Sequence, residues 1–156
     1  MRFALLLLAL CAPRAHADDF GINVFGASYH FDRDKAKQIG LTHEFNPGLG
    51  VRWRREWNEH WDLFADAGFY RDSKANMAGL AGGGGLWHAT ERLRLGGGLV
   101  ALKSDTYNHN KLLVAPAPVV AYEGRRVTFN VVYFPKWQDT NKTNQLGFWL
   151  TLWLSE

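Results

Sequence analysis

The chain has 156 residues, 47% of them hydrophobic and 14% aromatic, with seven Trp, ten Phe and five Tyr, and a formal charge of +3 at pH 7. This length suits one domain. The near balance of basic and acidic residues gives no support to nucleic-acid binding, and the aromatic content points instead to an apolar surface or interface.

The chain opens with "MRFALLLLALCAPRAHA": a basic Arg2, an apolar run of roughly ten residues, and Ala15 and Ala17 around His16. That is the pattern of a cleaved secretory signal, residues 1–17, with the mature chain beginning near Asp18. The run is too short to span a bilayer as a helix, which needs about 20 apolar residues. Cys11 follows Leu10, where a lipidation signal would place a small residue, so Cys11 is expected to leave with the signal. The mature chain, 18–156, then has no cysteine and must be held by core packing or a closed sheet. Losing Arg2 and Arg14 takes the 18 basic residues to 16, against 15 acidic, for a net +1.

From residue 20 onward the period is two. "NPGLGVRWRREW" sets Leu49, Val51 and Trp53 against Gly48, Gly50, Arg52 and Arg54, as a strand between lipid and a polar interior requires. "WDLFADAGFY" sets Trp61, Leu63, Ala65, Ala67 and Phe69 against Asp62, Phe64 and Asp66. Eight such runs follow in order, 20–30, 46–57, 61–70, 77–88, 92–102, 112–122, 126–134 and 145–154. Each is near the roughly 9–11 residues of a tilted membrane strand. Tight turns, "NEH", "ATE" and "EGR", alternate with the longer polar connections 31–45, 71–76, 103–111 and 135–144. The expectation is an all-β, eight-stranded antiparallel outer-membrane barrel, closed so that no strand edge is left bare. A soluble lipocalin-like barrel shares the alternation. Trp57, Trp61, Trp87, Trp149 and Trp153 near strand ends favour the membrane form through interfacial aromatic belts. The last strand ends in Ser155 and Glu156, where outer-membrane strands usually end on an aromatic residue.

With both termini on the periplasmic side, strands one and three end at the outer rim. His30 ends the first and Asp72 and Ser73 end the third, so three residue types suited to proton transfer and nucleophilic work share one rim. Asp and Ser are also common in surface turns. Adjacent residues of an extended strand point to opposite faces, so a linear triad needs a bend at Asp72–Ser73. There is no G-x-S-x-G elbow.

The segments "ASYHFDRDK", "FNPGLGVRW", "FYRDSKAN", "RLGGGLVAL", "VTFNVVYFP" and "GFWLTLWL" resemble, in that order, the lipid A palmitoyltransferase family, PagP. The resemblance implies a monomeric outer-membrane enzyme that moves a palmitoyl chain from the sn-1 position of a phospholipid to a lipid A hydroxyl, with no cofactor and no metal. His30, Asp72 and Ser73 match the catalytic positions of that family. Pro118 and Pro135 match a lateral gate, and Pro47 matches a residue flanking a second opening. Proline lacks a backbone N–H and so interrupts the ladder physically. Gly84, in the glycine-rich "GLAGGGGLW", matches the floor of the family's acyl-chain slot. The family's proline in strand one is replaced by Phe25, and its leading amphipathic helix is not matched, since only Asp18 and Asp19 precede Phe20.

Other residues read more plainly. Arg52 is expected opposite Asp66 across the tight turn, as part of a charged plug in the inner half of the barrel. Arg33, Lys35 and Lys37 crowd the first outer loop, as phosphate contacts or as a solvated face. His43, His60, His88 and His109 lack metal-ligand spacing. A lipid hydrolase and a non-catalytic barrel remain as alternatives to the acyltransferase.

Overall fold

The computed structural model describes residues 18–137 and 140–155, so the expected signal segment 1–17, residues 138–139 and Glu156 lie outside the described residues. Eight strands follow in chain order: β1 Asp18–His30, β2 Phe45–Asn58, β3 Trp61–Arg71, β4 Met77–His88, β5 Leu93–Ser104, β6 Leu113–Glu123, β7 Val127–Phe134 and β8 Gln145–Trp153. Each pairs antiparallel with the next, and β8 pairs with β1 to close the barrel. The eight expected runs therefore hold to within a few residues.

Alternation decides which side chains face in. Arg52, Asp62, Phe64 and Thr151 are buried, whereas Leu49, Val51, Phe69, Leu99 and Leu150 stand exposed on the outside. Large apolar side chains exposed all round a closed sheet are what a lipid-facing surface requires. Trp57, Trp61 and Trp87 sit on this outer face. Trp149 does not, because it shares its face with Thr151 and is buried inside. Trp153 likewise bonds inward, its Nε1 donating to Thr128 Oγ1 at 2.8 Å.

The short connections gather at the end that carries the termini, and the long ones gather at the other. The first long connection, a polar loop by its sequence, holds a short helix, α1 Arg33–Gln38. Asp32 caps it by accepting from Lys35 N at 3.0 Å, and Gly40, at φ +80°, supplies the left-handed turn beyond it.

The inner half of the barrel is filled by charge. Arg52 and Asp66 face each other in register, and the guanidinium forks onto the carboxylate at 2.6 and 2.8 Å. Asn23 and Asn130 add bonds to Asp66 and Arg52 at 2.8 and 2.7 Å. Nearer the terminal end, Arg54 bridges Asp19 and Glu123, and Asp62 contacts His88 and Arg94. Pairing offsets the desolvation of charges that eight strands would otherwise bury alone.

Candidate active site

The outer half of the lumen is an apolar cavity with a polar mouth. About 910 Å³ between atoms, part of it open to solvent, is lined by Phe64, Val100, Ala117, Val119 and Trp149 in its depth and by Ser28, Ser73 and Tyr107 among others at its outer end. The shape suits a chain-like apolar ligand with a reactive group near the rim.

His30 reaches this mouth through an irregularity. Along β1 the pairing with both neighbours shifts between Phe25 and Ala27, leaving Gly26 as a bulge. Below it the odd-numbered Asn23 and Phe25 face inward, and above it the even-numbered Ser28 and His30 do. A bulge inserts one unpaired residue and so changes the parity of everything beyond it. Without Gly26 the imidazole would point at lipid.

Asp72 and Ser73 come inward together for a different reason. The strand ends at Arg71, and the chain turns with Asp72 N donating to Asn76 O and Ala75 N to Asp72 O at 2.9 and 2.8 Å. Ala75 takes a left-handed φ of 62°. The bend that a working site demands is thus present, and both side chains are buried, at 1% and 2% exposure.

The structure brings His30 and Ser73 into contact. His30 Nε2 lies 3.0 Å from Ser73 Oγ, and His30 Nδ1 lies 2.9 Å from Thr143 Oγ1. A nucleophile, a base and a group that orients the base are therefore in line. Asp72 is not that third group. Its Oδ1 accepts from Lys74 N and Asn76 N at 2.9 and 3.1 Å, and its Oδ2 accepts from Ser104 Oγ. It builds the turn that carries Ser73.

Three further residues stand around the His30–Ser73 pair. Ser28 Oγ is 3.2 Å from the Ser73 hydroxyl. Tyr107, on the connection after β5, lines the same cavity mouth as Ser73 and Gln145. Burial, and then the nearby Asp72 carboxylate, push the Tyr107 phenol up to about 12, so it stays a neutral donor. Gln145 itself is the register partner of His30 on β8. Thr143, Ser28, Tyr107 and Gln145 carry no motif, and only the closure of the barrel assembles them.

The prolines fall at gaps in the sheet. β5 and β6 pair over ten rungs, Leu93–Leu102, whereas β6 and β7 pair only from Val119 to Glu123. Above Val119 the two strands run unpaired, with Pro118 on one and Pro135 just past the end of the other. Pro47 stands where the β1–β2 ladder jumps from Phe25–Gly48 to Ala27–Phe45. A groove there on the outer surface shares Phe25, Gly26, Phe148 and Trp149 with the inner cavity.

Gly84 is placed differently from its expected role. It faces inward, paired with Phe64 and Gly98, but does not line the cavity, as Gly82, Gly83 and Gly98 do. A Cβ at Gly84 would overlap Gly97 O and Gly98 Cα. Glycine is needed there for the close approach of β4 and β5. The cavity is closed below by Phe64 and Trp149, with the Arg52 guanidinium 4.9 and 5.5 Å from their rings.

Arg33 is engaged locally, paired with Glu44 at 3.1 Å and set over the Tyr29 ring. Lys37 is exposed on α1 and Lys35 partly so. No cluster of metal-ligating side chains occurs among the described residues.

A closed antiparallel barrel of eight strands with an apolar outer wall defines the class: a small outer-membrane-type β-barrel. Solved structures agree with that fold. The solution structure of the de novo designed barrel TMB2.3 superposes with a TM-score of 0.56 at 16% identity, covering 88% of this chain and 97% of the other. The Yersinia pestis outer membrane protein Ail in a phospholipid bilayer nanodisc superposes with a TM-score of 0.53 at 14% identity, covering 88% of this chain and all of Ail. No protein-family model and no curated protein sequence matches the chain.

Proposed function

We propose that this protein is an outer-membrane acyltransferase that moves a palmitoyl chain from the sn-1 position of a phospholipid to a hydroxyl of lipid A. It would work as a monomer, without cofactor, after removal of its signal segment. The observation that carries the reading is the Ser73–His30 contact of 3.0 Å, buried at the mouth of an apolar cavity. A polar dyad over an apolar slot matches the needs of acyl chemistry, in which the chain is buried and only the ester is processed.

Two half-reactions follow. In the first, Ser73 Oγ attacks the sn-1 ester carbon while His30 Nε2 takes its proton. The ester C–O bond breaks, and the proton passes to the departing lysophospholipid oxygen. In the second, the lipid A hydroxyl attacks the acyl-serine, His30 takes that proton, and Ser73 recovers it as its bond to the acyl group breaks. In this reading Ser28, 3.2 Å from the Ser73 hydroxyl, supplies a donor that steadies the oxyanion, with Tyr107 at the same cavity mouth. The gap above Val119 between Pro118 and Pro135, and the groove beside Pro47, give lipids lateral routes through the wall. Lys35 and Lys37, with Arg33, face the lipid A phosphates from the outer loop.

The test is mass spectrometry of lipid A from cells with and without the protein. Gain of one palmitoyl chain is expected. Loss of a chain would make the protein a hydrolase, and no change would make it a non-catalytic barrel. Ser73→Ala and His30→Ala should each abolish the gain while keeping heat-modifiable migration, and wild-type transfer in both would refute the assignment.

A further inference from the structure

One cation stands over an apolar groove on the outer wall. The groove is a hollow of about 1410 Å³, open on its outer side. Its floor follows from the register: Phe69, Leu49, Val24, Leu150 and Phe129 are successive partners from β3 across β2, β1 and β8 to β7, so their outward side chains form one row. Arg71 ends β3 two residues beyond Phe69 and is exposed on the same face, roughly 7 Å nearer the rim. Every other residue that lines the groove is apolar or glycine. Arg33, Arg52, Arg54, Arg55 and Arg94 each meet a carboxylate, whereas the Arg71 guanidinium has no partner among the described residues.

The groove also meets the inner cavity. Where the β1–β2 ladder jumps from Phe25–Gly48 to Ala27–Phe45, Asn46 and Pro47 are left without partners on β1, and proline has no N–H to offer. Above the jump Ser28 N donates to Glu44 O at 2.8 Å, so the opening is a window in the wall. Phe25, Gly26, Ala27, Phe148 and Trp149 line both the groove and the cavity behind it. A guanidinium above an apolar row suits an anion carried on an apolar body. Its planar fork takes a phosphate through two parallel bonds, and its long stem keeps the charge at headgroup level while the methylenes lie on apolar surface.

We propose that this groove is a docking site for a glycerophospholipid: Arg71 holds its phosphate at the rim, and the apolar row below holds its hydrocarbon chains beside the window. Such a lipid carries a single phosphate close above both chains, which is the spacing of one cation set over an apolar floor. A phosphorylated glycolipid, whose sugars part phosphate from chains, would need polar groups between Arg71 and the row, and the lining has none. That the docked lipid gives up a chain to Ser73 rests on the acyltransferase reading; the docking does not.

The probes are di-O-hexadecyl-glycerophosphoglycerol, a diether phospholipid, and di-O-hexadecylglycerol, the same body without the phosphate. Neither has a carboxylic ester to turn over. Native mass spectrometry of the protein released from detergent micelles counts the molecules retained. The native protein should hold one diether phospholipid about tenfold more tightly than the glycerol diether, as one charge-assisted phosphate contact provides. Arg71→Gln should remove that preference, and Lys103→Gln, which takes an exposed cation from β5 outside the groove, should keep it. Val24→Trp should weaken both probes severalfold by filling the row. Equal retention of the two probes by the native protein overturns the proposal, as does a preference that survives Arg71→Gln, a preference lost equally in Lys103→Gln, or affinities unmoved by Val24→Trp. Lipid A that displaces the bound probe at lower concentration than the diether phospholipid itself also overturns it. Arg71→Met takes the place of Arg71→Gln should the latter fail to regain heat-modifiable migration. A protein that shows the preference yet transfers no acyl chain refutes the acyltransferase reading alone, and transfer without the preference refutes the docking site alone.

Discussion

Thr143→Val is the most searching single change, because it leaves the shape of the site and removes one hydrogen bond. Thr143 and His30 are 1% and 2% exposed, and Oγ1 lies 2.9 Å from Nδ1. For Nε2 to accept the Ser73 proton, Nδ1 must carry the hydrogen and donate it to Thr143. Valine keeps the volume but strands that N–H in a buried site. An orphaned buried donor costs about 1–3 kcal/mol, and 1.36 kcal/mol is tenfold in rate. The imidazole keeps its Ser73 contact, so a fall in kcat of roughly 10- to 100-fold is expected, with KM nearly unchanged. The assay is transfer of a labelled palmitoyl chain from phospholipid to lipid A by protein refolded in detergent. Thr143→Ser should restore most of the rate. A folded Thr143→Val protein with native kcat, or a serine variant that rescues nothing, refutes the role of Thr143 as the residue that orients His30.

Ala117 lines the cavity and is 7% exposed, so Ala117→Met should shift donor preference to shorter chains; native selectivity in an active variant removes it from the slot. Gly84→Met forces β5 away from β4 instead, and should chiefly lower the temperature of heat-modifiable unfolding, which a titration gel reads directly. Tyr107 has a folded value of about 12 against 10.0 for the free group, so its contribution is complete below pH 10 and is lost as pH rises from 10 to 12. Tyr107→Phe should accordingly flatten the loss of stability over that window, and an unchanged alkaline limb would exclude it as the source. Arg52→Ala leaves Asp66 short of its partner, and breaking such a buried pair costs about 3–5 kcal/mol, visible as a large drop in the unfolding midpoint in urea.

The barrel was legible because alternation survives in nearly every strand and because the turns sort by length. Arg52 opposite Asp66 follows from the same rule. The site was legible only in part. His30, Asp72 and Ser73 could be named, but their arrangement depends on two departures from regular strand. Gly26 reverses the parity of β1, and one glycine among sixteen carries no mark of a bulge. The turn after Arg71 relies on Asp72 bonding backbone N–H groups, which removes Asp72 from the role of orienting His30. Thr143 takes that role from a connection 113 residues away in sequence, and nothing local to Thr143 announces it. Trp149 was misread for the opposite reason: proximity to a strand end outweighed its alternation with Thr151.

The polar plug has a bearing on how such a barrel can be assembled. Its bonds tie Asn23 of β1 and Arg52 of β2 to Asp66 of β3, Asn130 of β7 and Thr151 of β8, so the members of one network come from the first strands and from the last. A sheet halted after six strands would hold Asn23, Arg52 and Asp66 together but leave the groups that bond Asn130 and Thr151 unmet and open toward lipid, where every unmet polar group is expensive. Partial insertion is therefore penalised until β7 and β8 arrive. The seam between β1 and β8 is sealed from within as well as by its own ladder, and the step that completes the wall also satisfies the interior.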